Sequence, residues 1–203
     1  MAEEDQAKAA EAGPQGSGSR SAIKQWKEWT LLAILVLFVL VLAAVFLTRE
    51  GKKGPRPGAI REGSTAPDFA LPALNGTYVS LSDQKGKVVL VHFWATWCPP
   101  CVEEMPDLER LYQEFRGPDF EVLAISVDEE GPGKVRAFMQ KNRLSFPALM
   151  DPGRSVASSY GTLKYPETFI VDRSGVVRHR AIGSWDWNEP VNREKIRKLL
   201  GTR

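Results

Sequence analysis

The two cysteines of the chain, Cys98 and Cys101, lie three positions apart in the segment VHFWATWCPPCVEEMP. A Cys-x-x-Cys pair can cycle between a dithiol and a disulfide, and it can hold one thiol at a pKa well below the free value of about 8.5. The same spacing occurs in zinc sites, but tetrahedral zinc needs further Cys or His ligands. The chain has only His92 and His179, neither at ligand spacing. An inert structural disulfide is the other alternative, and redox chemistry is favoured over both.

The residues around this pair predict a buried strand that runs directly into a helix. Residues 87–95, KVVLVHFWA, form a continuous apolar run with β-branched residues, which is typical of a central strand buried on both faces. Residues 99–115 have apolar side chains at three- and four-residue steps, which predicts a helix. Cys98 would therefore lie at a helix N-terminus, where partial positive charge stabilises a thiolate. Such a turn is an unusual place for an inert disulfide.

The rest of the domain alternates strands with helices. This order predicts a mixed sheet flanked by helices on both faces. The further predicted elements are a hairpin turning at Asn75-Gly76, a buried strand over 120–128, a helix within 133–142, an extended segment over 146–151, a short helix before Gly161, a hairpin turning at Ser174-Gly175 and a closing helix over 192–201.

Residues 30–47, TLLAILVLFVLVLAAVFL, are long and apolar enough to span a bilayer as a helix. A cleaved signal peptide is the alternative, but the apolar run continues past Ala43, where cleavage would occur. The sequence thus predicts a disordered tail over 1–25, a transmembrane anchor over 26–48, a linker over 49–64 and a redox domain over 65–203. Positive charges flank the span on both sides and do not fix its orientation.

The composition of the 203-residue chain allows a packed core, because 43% of its residues are apolar. The formal net charge is +2. This gives no reason to expect a nucleic-acid partner.

Two segments carry a resemblance to the thioredoxin superfamily. FWATWCPPC followed by Met105-Pro106 resembles its active-site segment, and YPETF, residues 165–169, resembles the segment that bears its cis-proline. GSTAPDFALPALNGTYVSLSDQKGKVVLVHFWATWCPPC is similar to the opening of the membrane-anchored TlpA, ResA and CcmG branch. The resemblance implies a thioredoxin-like α/β fold with an N-terminal hairpin, a central insertion between Asp128 and Pro152, and one preceding transmembrane helix.

The resemblance also implies roles for individual residues. Cys98 would be the exposed nucleophile, Cys101 the buried resolving thiol, and Glu104 a buried acid that exchanges protons with them. A solvated helix-face glutamate is the alternative for Glu104, and its neighbour Glu103 is expected to be such a residue. A further set is expected to face the substrate: Trp97, Pro99, Pro100, Tyr165, a cis Pro166 and Glu167. A plain strand-edge residue is the alternative for Glu167, and simple packing is the alternative for Trp97.

Three aromatic or imidazole side chains have less specific expectations. His92 lies in the middle of the predicted central strand, and a satisfied core histidine is the default interpretation for it. Trp185 and Trp187 could line a partner groove, but packing of the last helix is the more economical interpretation.

The expected function is that of an extracytoplasmic thiol-disulfide oxidoreductase without a bound cofactor. The resemblance implies a dithiol reductant of protein disulfides, and the apocytochrome c cysteines would be its substrates. A membrane protein of the DsbD or CcdA kind would supply this reductant with electrons. Its expected location is a bacterial cytoplasmic membrane, with the redox domain outside. The alternatives are a general disulfide reductase, an AhpC/TSA-type peroxide-handling redoxin and a copper-delivery protein. The motif of peroxide-handling redoxins has a proline and a hydroxyl residue at the positions where this chain has Val91 and Ala95, which disfavours that class. Copper-delivery members of the superfamily have Cys-x-x-x-Cys spacing, whereas this chain has Cys-x-x-Cys.

Overall fold

The computed structural model describes Trp29, residues 34–43 and residues 60–201. The chain divides into two compact units, Met1–Gly54 and Pro55–Arg203. In the first unit, residues 34–43 are helical and their apolar side chains are exposed. Within the described residues, no helix has the length and apolarity needed to cross a membrane. The predicted anchor over 26–48 extends beyond these residues and stays a prediction, and the predicted tail over 1–25 lies wholly outside them.

The second unit contains two sheets. Strands β1 (Ala70–Pro72) and β2 (Tyr78–Ser80) form the predicted antiparallel hairpin. Its turn needs a residue with positive φ, which Gly76 supplies at +87°. The main sheet has the order β5-β4-β3-β6-β7. Its strands are β3 (Val88–Trp94), β4 (Phe120–Ser126), β5 (Ala148–Met150), β6 (Glu167–Val171) and β7 (Val177–Ile182).

The main sheet is mixed, as predicted. Strand β3 lies at its centre, pairing parallel with β4 and antiparallel with β6, and all its residues are buried. This burial explains the uninterrupted apolar run, because a central strand covered on both faces cannot alternate polar and apolar residues. Strand β5 pairs parallel with β4, and β7 pairs antiparallel with β6.

The described part of the second unit has the α-helices α1 (Pro99–Phe115), α2 (Pro132–Lys141), α3 (Ser155–Ser159) and α4 (Pro190–Gly201), and a short 3-10 helix over Ser82–Gln84. Helix α1 has the predicted bounds, with Met105, Leu108 and Leu111 buried at the predicted spacing. Helix α4 starts two residues before the prediction, since Pro190 occupies a first-turn position where its missing N–H costs little.

The segment that leads into the domain is already attached to it. The backbone N–H of Gly63 donates to the carbonyl of Val177 at 2.7 Å, and the N–H of Ile60 donates to the carbonyl of Tyr160 at 3.4 Å. The last residues of the predicted linker therefore pair with the folded unit. The linker residues before Ile60 lie outside the described residues.

Candidate redox site

The fold brings the two cysteines together at the point where the central strand turns into helix α1. Cys98 is the N-cap residue of the helix, in an extended conformation, and Pro99 and Pro100 follow in its first turn. The structure contains the Cys98–Cys101 disulfide, with the two Cα atoms 5.3 Å apart. Cys98 is 5% exposed and Cys101 is 0% exposed. Cys101 is buried as expected, whereas the expectation of an exposed Cys98 is wrong for this disulfide form, in which Cys98 is buried as well.

The loop before the disulfide is fixed by a buried carboxylate. Asp128, just beyond β4, accepts hydrogen bonds from the Thr96 backbone N–H at 2.9 Å and from the Ser126 hydroxyl at 2.7 Å. The Thr96 hydroxyl also donates to it. These bonds hold the turn between Ala95 and Cys98 against the neighbouring strand, so the first cysteine has a defined position.

Glu104 is buried, with 4% of its surface exposed, whereas Glu103 is exposed. One of its oxygens, Oε2, accepts two hydrogen bonds of 2.9 Å, from the Ser184 hydroxyl and from the Trp185 backbone N–H. Burial raises the pKa of Glu104 from 4.5 to about 7, although these two donors favour the ionised form. Since residues three apart share a helix face, this carboxyl lies on the face of α1 that carries Cys101.

The second oxygen of Glu104 meets His92. The Oε1 atom lies 3.5 Å from Nε2 of His92, and neither atom has a hydrogen-bond partner within normal geometry. The other ring nitrogen, Nδ1, lies 2.9 Å from the hydroxyl oxygen of Thr168. Burial lowers the pKa of His92 to about 3, so the ring is neutral at neutral pH and the contact is not an ion pair. The expectation of a fully satisfied core histidine is therefore wrong at Nε2.

The loop after β7 completes the surroundings of this carboxyl. Trp187 is fully buried, and its indole N–H faces Glu104 and favours the ionised form, although the geometry falls short of a hydrogen bond. Trp185 packs against Trp187 at a centroid distance of 5.6 Å, and the Lys195 ammonium of helix α4 lies 4.5 Å from the Trp185 ring. The two tryptophans thus pack the last helix, as the simpler interpretation predicts, and also line the acid.

An exposed apolar surface borders the disulfide. Trp97 is 51% exposed, and its ring meets that of half-buried Tyr165 edge-to-face at 6.1 Å. Pro99 and Pro100 are exposed. These four expected substrate-facing residues therefore retain surface that a polypeptide could contact.

The other two expected substrate-facing residues are buried. The Tyr165–Pro166 bond is cis, as the resemblance implies. Glu167 is 2% exposed, and its Oε1 accepts a 2.6 Å hydrogen bond from Nε of Arg180. Its side chain thus has a partner inside the protein and has almost no exposed surface to offer a substrate in this structure.

Sequence reasoning missed the partners of Glu104. Ser184 and Trp185 lie about eighty positions after it along the chain. The pairing of His92 with Thr168 across β3 and β6 could have been suspected from the sequence, because each is a polar residue inside a buried strand. Among the described residues, no group of three or more His, Cys, Asp or Glu side chains could hold a metal ion.

Residues 63–180 match the AhpC/TSA family. The chain belongs to this family. It is 42% identical over 160 residues to the thioredoxin-like protein YneN of Bacillus subtilis, covering 78% of this chain and 91% of that protein. It is 36% identical over 158 residues to the thiol-disulfide oxidoreductase ResA of Geobacillus thermodenitrificans, covering 78% of this chain and 90% of that one. The family region includes both cysteines but ends before Ser184 and Trp185.

Solved structures agree with this assignment. A protein from Chlorobium tepidum, described as a candidate thiol:disulfide interchange protein DsbE, superposes with a TM-score of 0.61 at 31% identity, over 70% of this chain and 96% of that one. A thiol-disulfide oxidoreductase from Bacteroides fragilis superposes with a TM-score of 0.59 at 27% identity, over 67% and 99%. This member of the AhpC/TSA family is accordingly a thioredoxin-like thiol-disulfide oxidoreductase of the ResA/DsbE type.

Proposed function

We propose that this oxidoreductase works as a reductant of protein disulfides, in which Cys98 attacks, Cys101 resolves and Glu104 exchanges the proton. The observation that carries the proposal is the buried Glu104 carboxyl, whose pKa is raised to about 7, one helical turn beyond Cys101. A group that titrates near the working pH can both accept and return a proton.

The reaction begins with the dithiol form. The Cys98 thiolate attacks a substrate disulfide, forming a mixed disulfide and releasing one substrate sulfur, which takes up a proton. Cys101 then gives its proton to Glu104, and its thiolate attacks Cys98. The second substrate sulfur leaves as a thiolate and takes up the proton that Glu104 gives back. Two electrons have then passed to the substrate, and the Cys98–Cys101 disulfide remains, which is the form in the structure.

The buried carboxyl also favours the reducing direction. An ionised Glu104 would disfavour a thiolate nearby, and a dithiol with raised thiol pKa values gives up its electrons more readily. A change of one pKa unit, about 1.4 kcal/mol, corresponds to about 30 mV for a two-electron couple. The helix N-terminus at Cys98 acts in the opposite direction, so Glu104 sets a balance between nucleophilicity and reducing power.

We further propose that the redox domain faces the extracytoplasmic side of a bacterial membrane and reduces the haem-attachment cysteines of apocytochrome c, with electrons from a membrane donor of the DsbD or CcdA kind. Support for the client comes from the Pro-Glu-Thr-Phe segment at 166–169, which resembles cytochrome c maturation members, and support for the location comes from the apolar run at 30–47. A reporter fused after Arg203 should be active only outside the cytoplasm. Activity confined to the cytoplasm would contradict this orientation.

Client capture tests the proposal directly. A Cys101→Ala variant lacks the resolving thiol, so substrates should accumulate as mixed disulfides on Cys98 and can be identified after release with dithiothreitol. The Cys98→Ala variant is the matched control and should capture none of them. Recovery of c-type cytochromes supports the proposed client, whereas a broad set of unrelated proteins supports a general reductase.

Three measurements distinguish the remaining alternatives. Reduced enzyme should reduce a Cys-x-x-Cys-His disulfide peptide faster than it consumes hydrogen peroxide. Faster peroxide consumption would favour a peroxide-handling redoxin. Stoichiometric copper binding that depends on Cys98 and Cys101, with no disulfide reduction, would favour copper delivery.

A further inference from the structure

Two of the buried polar atoms that lack a partner face each other, namely Nε2 of His92 and Oε1 of Glu104. The indole Nε1 of Trp187 also lacks a partner and faces the same carboxyl group. Buried polar atoms normally have hydrogen-bond partners, because an unsatisfied one costs about 1–3 kcal/mol. The 3.5 Å between His92 Nε2 and Glu104 Oε1 is slightly longer than a hydrogen bond. A small movement of either side chain would join them.

We infer that His92 is a positioning residue for Glu104, whose neutral ring changes tautomer as the carboxyl gains or loses its proton. The inference rests on the proposed role of Glu104. It depends on both ring nitrogens having fixed and different partners: Nε2 faces Glu104, and Nδ1 lies 2.9 Å from the Thr168 hydroxyl oxygen.

Each state of the carboxyl has a matching ring. When Glu104 is ionised, the ring carries its proton on Nε2 and donates it to Oε1, while Nδ1 accepts from the Thr168 hydroxyl. When Glu104 is protonated, its O–H donates to Nε2, and the ring proton lies on Nδ1 and is donated to the Thr168 oxygen. A hydroxyl can act either way by rotating. One proton is taken up overall, and the ring stays neutral in both states.

The positions of its two neighbours fix the orientation of the His92 ring. His92 and Thr168 are directly opposed on the antiparallel strands β3 and β6, and both are buried. Directly opposed side chains in such a pair lie close together. His92 is 0% exposed, and burial keeps it from becoming an imidazolium near neutral pH. Changing tautomer is then its way of adapting to a titrating neighbour.

None of the other groups around Glu104 adapts in this way at Oε1, although the Ser184 hydroxyl can rotate at Oε2. Ser184 and the Trp185 backbone both bind Oε2, and the Trp187 indole only donates. The field of Asp107, on the same helix, disfavours ionisation. The Cys98–Cys101 pair lies on the same helix and is uncharged as a disulfide. His92 is therefore the neighbour of Oε1 that can donate to a carboxylate and accept from a carboxylic acid.

Nuclear magnetic resonance of the full-length chain in detergent tests the inference. The chain has two histidines, so ¹⁵N-histidine labelling with a His179→Gln variant assigns the His92 signals. Between pH 5 and pH 9 the ring should stay neutral and change from mainly Nδ1–H to mainly Nε2–H, with a midpoint near that of Glu104. In Glu104→Gln this change should disappear. A single tautomer throughout, or protonation to imidazolium in this range, would overturn the inference.

A His92→Leu variant adds a functional readout. Ionised Glu104 would lose its donor at Oε1, and bonds to charged groups are stronger than neutral ones. The pH midpoint of disulfide reduction should therefore move upward by about half to one unit, with the near-ultraviolet circular dichroism unchanged. An unmoved midpoint in a folded variant would contradict the inference. If this variant does not fold, the tautomer measurement on the parent decides alone. A tautomer change without any effect of Glu104→Gln on turnover would refute the proposed proton exchange and leave this inference standing.

Discussion

Replacing Glu104 by Gln separates the charge of this side chain from its shape. The amide oxygen of Gln can accept the two 2.9 Å hydrogen bonds that Ser184 and the Trp185 backbone donate to Oε2. No core volume is lost, so the variant should fold. Only the ability to carry a charge and exchange a proton is removed, which makes this the sharpest perturbation of the proposed mechanism.

The expected size of the effect follows from helix geometry. Cys98 precedes Glu104 by six positions, or about 9 Å along a helix axis at roughly 1.5 Å per residue. Two unit charges at this distance interact by about 1.8 kcal/mol at an effective dielectric constant of about 20. That energy equals about 1.3 pKa units. The pKa of the Cys98 thiol should therefore fall by about one unit in the variant, and turnover near neutral pH should drop about ten- to a hundredfold.

The assay is the rate of alkylation of the reduced enzyme as a function of pH, paired with steady-state reduction of a disulfide peptide. The difference in thiol reactivity between parent and variant should be largest above pH 7, where the parent carboxyl is ionised, since its pKa is about 7. Glu103→Gln is the control, because Glu103 is exposed and should change little. If Glu104→Gln titrates and turns over like the parent, Glu104 has no part in proton exchange, while the Cys98–Cys101 redox assignment stands.

Three further outcomes are expected. Limiting iodoacetamide should label Cys98 of the reduced enzyme before Cys101, because Cys98 is the N-cap residue of helix α1, where a thiolate is stabilised, and Cys101 lies inside the helix; preferential labelling of Cys101 would reverse the assigned roles. Folding raises the pKa of Glu104 from 4.5 to about 7, so the folded chain keeps a proton that the unfolded chain releases, and stability is lost as pH rises through this window. Urea unfolding should show the oxidised parent losing up to about 3 kcal/mol relative to Glu104→Gln between pH 4.5 and 7.5, and parallel profiles would contradict it. Arg180→Met should lower the free energy of unfolding by about 3–5 kcal/mol, because it leaves the buried Glu167 carboxylate without its partner, whereas Glu167→Gln should lower it by less. The reverse order would show that the loss of stability does not come from breaking this pair.

Local patterns predicted the fold well because each strand and helix has its own spacing of apolar residues in the sequence. The apolar run of 87–95 became the central strand Val88–Trp94, and the helical spacing after it became Pro99–Phe115. The strand buries every residue and the helix buries residues three and four positions apart, and a short window of sequence records both patterns. The hairpin turns were equally accessible, because Gly76 and Gly175 adopt positive φ, which glycine adopts most easily.

The environment of Glu104 was not accessible in the same way. Spacing along helix α1 indicates which face the carboxyl shares with Cys101, but its hydrogen bonds come from the loop after β7. Such contacts depend on how distant elements dock, and no period records them. Glu167 shows the same limit. Its position after Pro166 suggested a substrate-facing acid, whereas its partner Arg180 lies on the neighbouring strand β7.

The two buried glutamates of this domain show why only one of them suits proton exchange. Glu167 faces the guanidinium of Arg180, which carries a permanent charge and has donors but no acceptor for an acid proton. The groups that contact the Glu104 carboxyl are neutral, namely a hydroxyl, a backbone N–H, an indole and an imidazole, and the nearby charge on Asp107 is negative. Neutral donors can stabilise the carboxylate without fixing it, and an imidazole can also accept from the acid form. Because Glu104 has neutral partners where Glu167 has a cation, both protonation states of Glu104 are accessible near pH 7. A residue that receives the Cys101 proton and returns it needs both states.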